Sequence, residues 1–185
     1  MLKSSSWIKT RAENNQLLEP FLPHSVRDGV ISYGLRPYGY DIRLFYTFKK
    51  LKPDIQEINP HHVKEDYFDT ITEDKISLEA GSYILGRSLE HFKIPKKVMG
   101  IVLGKSTYAR SGILVNVTPL EPEWTGFLTI SISNLSGRTV ILHPMQGIAQ
   151  VLFLESDALP LFSYKELKGK YNDQKEIIPA KIRKI

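Results

Sequence analysis

Cysteine is absent from the 185 residues. That absence excludes disulfides, thiolate nucleophiles and cysteine-ligated zinc, and it agrees with a reducing compartment. No apolar run approaches the roughly 20 residues of a membrane span, and the opening MLKSSSWIKTRAENN lacks the apolar centre of a signal peptide. A cytoplasmic protein without membrane contact is therefore expected. Internal repeats and heptads are missing too. A phosphate-binding P-loop is excluded on spacing: Gly104-Lys105-Ser106 needs a glycine five residues earlier, where Met99 stands, and apolar Ile101-Val102-Leu103 fills what would be an open loop. His61 and His62 are adjacent, so they point apart, and no partner at metal spacing accompanies them. The formal charge of +5 comes with no nucleic-acid motif. Much of the excess sits in the tail from Lys165 to Lys184 and in Lys49, Lys50 and Lys52. A small polyanion such as a nucleotide suits it as well as nucleic acid does.

What remains reads as one β domain over 1–185. Ser4 to Ser6 precede a helix expected from about Trp7 to Asn15, with Trp7, Ile8 and Ala12 inward. Residues 20–40 are dense in Gly, Pro and Tyr and predict turns between short strands. Asp41-Ile42-Arg43-Leu44 alternates as a half-buried strand, with Asp41 and Arg43 on one face as a structural ion pair. Residues 51–74 are polar and irregular and read as a long loop. Strands are then expected at 77–78, 82–89, 98–104, 113–117, 127–134, 139–142 and 149–154, punctuated by Gly81, Pro95, Gly137, Pro144 and Gly147. Short, evenly spaced strands of this kind point to a sandwich or jelly-roll barrel.

The chemistry concentrates in residues 104–134. Lys105 supplies an ammonium, Ser106 and Thr107 hydroxyls, and Arg110 a guanidinium suited to bidentate phosphate contacts. Two cations beside a glycine are ordinarily solvated turn charges, so this cluster alone does not make a site. In the segment from Ser156 onward, Tyr164, Lys170, Tyr171 and Gln174 interleave aromatics with polar and charged groups, which suits a frayed tail or a cover over a base and phosphate.

With GKSTYARSG, VNVTPLEPEWTG, ISYGL, YGYDIRL, GIAQVLF and GKYNDQ in view, the sequence resembles the dCTP deaminases of the dUTPase-like superfamily over nearly its whole length. The resemblance implies a mainly β, distorted jelly-roll β-barrel with short helices at the N-terminus and in the C-terminal segment. It implies a homotrimer with sites at subunit interfaces and hydrolysis of dCTP to dUTP and ammonia, with dTTP as a candidate inhibitor. No catalytic metal is implied; Mg2+ enters only with the triphosphate. The implied nucleotide-binding residues are Lys105, Ser106, Thr107, Tyr108, Ala109, Arg110, Glu121, Thr129, Ile130, Ser131, Gln150, Tyr164, Lys170 and Gln174. Ser106 positions water or base, and Arg110 acts across the subunit boundary. Pro119, Glu121 and Trp124 sit in the turn that resembles the family's pocket-forming loop, and segment 156–185 closes over the nucleotide.

One position departs from the family. Its general acid-base glutamate belongs seven residues after the tryptophan, and here that position is Ser131, in a run from Leu128 to Asn134 without any carboxylate. A hydroxyl is too weak a base near neutral pH to replace it. Three readings remain: Glu121 or Glu123 reaches the water, the chain is an impaired deoxynucleotide-binding relative, or the residue was changed deliberately to trap a complex. dUTP pyrophosphatase chemistry is a separate alternative to deamination.

Overall fold

The structure is a computed structural model, and it describes residues 1–162, 164, 166–167 and 169–181. Lys165, Lys168, Arg183 and Lys184 of the basic tail, and the end of the expected closing segment, lie outside the described residues. Helix α1 (Ser5–Glu13) precedes strands β1 (Leu18–Glu19), β2 (Ser25–Val26), β3 (Tyr33–Leu35), β4 (Tyr40–Arg43) and β5 (Thr47–Leu51). A 3-10 turn (Glu65–Tyr67) leads to β6 (Phe68–Thr72), β7 (Ile76–Leu78), β8 (Tyr83–Lys93) and β9 (Val98–Gly104). Helix α2 (Ser106–Arg110) is followed by β10 (Ile113–Asn116), β11 (Thr125–Asn134), β12 (Val140–Leu142) and β13 (Gly147–Glu155).

One sheet runs β10-β11-β8-β5-β6, with β1 also paired to β8; the other runs β2-β3-β4-β13-β9, and β12 pairs with β7. Burial alternates with period two along β8 and β11, as one-sided strands require. Ile84 and Phe92 of β8 and Leu128, Ile130 and Ile132 of β11 face inward, where they meet Ile42 of β4 and Val151 and Phe153 of β13 in one core. Phe92 and Phe153 lie 6.5 Å apart across that core. This is the mainly β, jelly-roll-type architecture expected, with strand positions within a few residues of those read from the sequence.

Three expectations need correcting. Residues 51–74 are not all loop, because β6 pairs along β5; with only Phe68 buried, this strand shows no alternation to read. The second helix is α2 at 106–110, whereas the described residues after Ser156 form turns and irregular chain. Asp41 and Arg43 do not pair. Asp41 takes the Lys105 ammonium, with Arg36 at 3.6 Å, and Arg43 turns to Glu90 at 2.8 Å. Residues two apart on a strand are separated by nearly 7 Å, so each ion finds a closer partner on another segment.

The Arg43–Glu90 pair joins β4 to β8 inside the core. Glu90 is fully buried and also accepts the Arg43 backbone N–H at 2.9 Å. Burial pushes the Glu90 carboxyl above its ordinary range, against the opposing pull of Arg43. A pair this deep is costly to break from one side, because the survivor is left uncompensated. Arg43→Ala is expected to destabilise the chain by about 3–5 kcal/mol, and adding Glu90→Leu should restore much of that loss. Urea unfolding midpoints check this, and strictly additive losses would show that the two groups are not coupled.

Candidate active site

The alternation that packs the core also builds a site on the opposite face of the same sheet. Thr129 and Ser131 project outward from β11 between the inward Leu128, Ile130 and Ile132. Ser131 stands directly between Asn116 of β10 and Leu85 of β8. Above these groups opens a cavity of about 420 Å³, walled by Pro119, Glu121 and Trp124 of the β10–β11 turn and by Tyr164, Tyr171, Gln174 and Ile178 of the C-terminal segment.

The C-terminal segment is fastened there by hydrogen bonds. The indole N–H of Trp124 donates to the Tyr171 carbonyl at 2.6 Å, and the Thr125 N–H donates to the Asn172 side-chain oxygen at 3.1 Å. Gln174 is buried and runs parallel to β11 at Gly126. Its carbonyl accepts the Phe127 N–H at 2.8 Å. Its amide donates to the Phe127 carbonyl at 3.1 Å and to the Thr129 hydroxyl. Gly126 has φ +138°, and a Cβ there would come within 2.7 Å of the Gln174 backbone. Glycine at 126 thus permits both the local backbone and the close approach of the tail.

Of the residues implied by the resemblance, Glu121, Thr129, Ser131, Tyr164 and Gln174 line this cavity. The cationic turn does not. Lys105 precedes α2, and its ammonium is committed to Asp41 and the Ser32 hydroxyl, the latter at 3.1 Å. It is therefore not an open cradle cation within one copy of the chain. Ser106, Thr107, Ala109 and Arg110 are exposed, and the Arg110 guanidinium folds back onto the Ser106 carbonyl at 3.3 Å. Tyr108 and Ile130 point into the core and are buried, so neither is open to a ligand in a single copy. Burial without a hydrogen-bond partner raises the Tyr108 hydroxyl to about 12. Gln150 lies in β13 and donates to the Tyr38 carbonyl at 3.1 Å, and Lys170 is exposed beside the Tyr171 ring.

The geometry separates the two candidate carboxylates. Glu121 faces the cavity that contains Ser131, whereas Glu123, at φ 65°, turns to Lys96 at 3.8 Å and is not part of the lining. Among the described residues Glu121 is the only carboxylate of this lining. Tyr171, read from the sequence as part of a candidate cover, lines it too, and so do Asn116 and Ile178, which the sequence reading did not bring forward. Asn116 was findable, as the polar end of a strand that pairs at Ser131; Ile178 carries no chemical signature. Among the described residues no group of three acidic or histidine side chains gathers where a metal ion could sit, and no helix is long and apolar enough to cross a membrane.

A family model described as dCTP deaminase-like matches residues 2–156. The chain belongs to that family. It is 46% identical over 182 residues to the dCTP deaminase of Roseiflexus castenholzii, covering 98% of this chain and 99% of the relative. It is 43% identical over 183 residues to the dCTP deaminase of Chlamydia felis, covering 95% and 96%. The crystal structure of 2'-deoxycytidine 5'-triphosphate deaminase from Agrobacterium tumefaciens superimposes with a TM-score of 0.64 at 16% identity, covering 92% of this chain and 50% of that one. At that identity the likeness speaks for the shared fold. The family match ends at residue 156, before the tail that meets β11 at the cavity.

Gln174 is the residue whose loss isolates the tail's attachment. Gln174→Ala leaves the Phe127 carbonyl and Thr129 hydroxyl without their partner, a cost of about 1–3 kcal/mol. Tryptic cleavage in the tail, at Lys170 or Lys175, should accelerate about tenfold or more while global unfolding is little changed. Unaltered cleavage would show that the tail is held elsewhere.

Proposed function

We propose that this chain is a dCTP deaminase whose turnover is limited by Ser131. The observation that carries the reading is the cavity between the β10–β11 wall and the fastened tail, in a chain that belongs to the dCTP deaminase-like family along most of its length. Thr129, Ser131 and Asn116 offer donors and acceptors to a pyrimidine edge, while Leu85, Leu128 and Trp124 exclude water. In the reaction, water adds to C4 of cytosine, the amine departs as ammonia, and the water oxygen remains as O4 of the uracil. One group must take a proton from the water and return one to the amine.

Residues 105–110 stand outside the cavity of a single copy, which supports a site completed by a neighbouring copy in a homotrimer. There Lys105 and Arg110 would face the phosphates and Ser106 would hold water or base, with Gln150 and Lys170 at the sugar-phosphate end. Mg2+ would arrive with the triphosphate, held by phosphate oxygens. dUTP is the product, dTTP a pyrimidine triphosphate fit to compete for the pocket, and the cytoplasm the expected place of action. Arg110→Ala should weaken dCTP binding by about 1.5–3 kcal/mol per charge-assisted hydrogen bond removed, as calorimetry would read.

Ser131 itself favours a second reading, a deoxynucleotide-binding protein with little turnover. A hydroxyl can hold water by hydrogen bonds but cannot take its proton near neutral pH, and general acid-base assistance is typically worth on the order of 10² to 10⁴ in rate. The deciding experiment is steady-state release of dUTP and ammonia from dCTP by the unmodified chain and by Ser131→Glu. We expect slow turnover that rises by about 10² or more in Ser131→Glu. Binding without release in either protein would establish the second reading, and pyrophosphate release from dUTP would reveal pyrophosphatase chemistry instead.

A further inference from the structure

The sheet face that carries Thr129 and Ser131 continues past the nucleotide cavity. Ser131 pairs with Leu85, Leu85 with Lys49, and Lys49 with Thr70, so their side chains share one face; Thr129 likewise pairs with Arg87. Strands are spaced about 4.8 Å apart, which puts Lys49 roughly 10 Å across the sheet from Ser131, with Leu85 between them. Here a second cavity of about 270 Å³ is lined by Thr47, Lys49, Thr70, Arg87, Lys175 and Glu176. The lining holds three cations and one carboxylate, Glu176, with a second carboxylate, Glu65, reaching Lys49 from outside it.

The cations are held in place. Lys49 is only 7% exposed. The Arg87 guanidinium lies 3.7 Å from the centre of the Phe45 ring and 4.2 Å from that of Phe127, and donates to the Ser88 carbonyl at 3.0 Å. A stacked, oriented guanidinium loses little freedom on gripping an oxyanion. The Lys49 ammonium is met by the carboxylate of Glu65, whose own side chain is 68% exposed. A buried ammonium matched by a solvent-facing carboxylate has a partner that water can take back, and an incoming oxyanion can replace it.

We propose that this basic cavity is an oxyanion site for a phosphate-class ligand, separate from the nucleotide cavity and able to steady the tail. Lys49 and Arg87 supply charge-assisted hydrogen bonds, and Thr47 and Thr70 add hydroxyls. Lys175 closes the site from the tail. Gln174 and Ile178 line the first cavity, whereas Lys175, Glu176 and Ile177 between them line the second. An anion bound to Lys175 therefore pins the segment that roofs the nucleotide cavity. The site stands whether or not the chain deaminates dCTP.

The probe is inorganic pyrophosphate, titrated calorimetrically into the full chain carrying Arg110→Ala, so that the cationic turn near α2 contributes less. Tail order is followed by Trp124 fluorescence in a Trp7→Phe background. Saturable binding, a fluorescence change and slower tryptic cleavage of the tail are expected. Adding Lys49→Gln, or Lys175→Ala on the exposed tail, should weaken binding at least tenfold. Absence of binding at millimolar pyrophosphate, or binding indifferent to both lysines, overturns the site. In the unmodified chain, pyrophosphate should still bind in saturating dCTP. Its exclusion would mean that the cavity takes the nucleotide's own phosphates, which also overturns a separate site.

Discussion

Two-residue alternation along β8 and β11 is the constraint on which the molecule depends. One face of these strands carries Ile84, Phe92, Leu128, Ile130 and Ile132 into the core, and the other carries Leu85, Arg87, Thr129 and Ser131 outward. Core and site are thus two sides of one register. A slip of one residue would bury Ser131 and expose Ile130. Partners on both sides resist that slip: β8 joins β11 to β5, and Arg43 reaches from β4 to Glu90 on the inner face.

The outer face would be an ordinary wet sheet without the C-terminal segment. Gly126 lets Gln174 run beside β11, and the polar groups of Gln174 are then spent on Phe127 and Thr129 rather than on solvent. Trp124 adds a hydrogen bond to Tyr171 and an apolar wall. The roof of the cavity is consequently a segment held by a few hydrogen bonds, of lower stability than the strands below it. Such a segment can open for a ligand while the barrel stays folded. It also borders two cavities at once, so whatever occupies one of them acts on the cover of the other.

Most strands were legible because their apolar residues repeat with a single period and glycine or proline marks their ends; β11 begins two residues before its predicted start and ends with it at Asn134. The strand β6 was not, since an edge strand with one buried residue leaves no pattern. Ion partners were not legible either. Asp41 meets Lys105, 64 residues away, and Arg43 meets Glu90, 47 residues away, and neither separation has a local signature. For the site, motif order brought Glu121, Thr129, Ser131, Tyr164 and Gln174 forward, and these do line one cavity. Sequence could not say that residues 105–110 lie away from it in a single copy, because that depends on where α2 is carried by β9 and β10.

The choice between Glu121 and Glu123 shows how two similar carboxylates in one turn part company. Glu123 sits in the left-handed region, φ 65°, and its side chain leaves toward Lys96 at 3.8 Å. Glu121, two residues earlier and before Pro122, keeps its face to the cavity. Among the described residues, Glu121 is therefore the one carboxylate that a single copy of the chain brings to this cavity. It stands in the turn above the cavity, whereas position 131 lies on β11 beneath it. Under the proposed deaminase reading, rate hinges on one side chain of the strand, while the cavity lining is spread over strand, turn and tail. Under that reading, a serine at this single position withholds the base and leaves the cavity built.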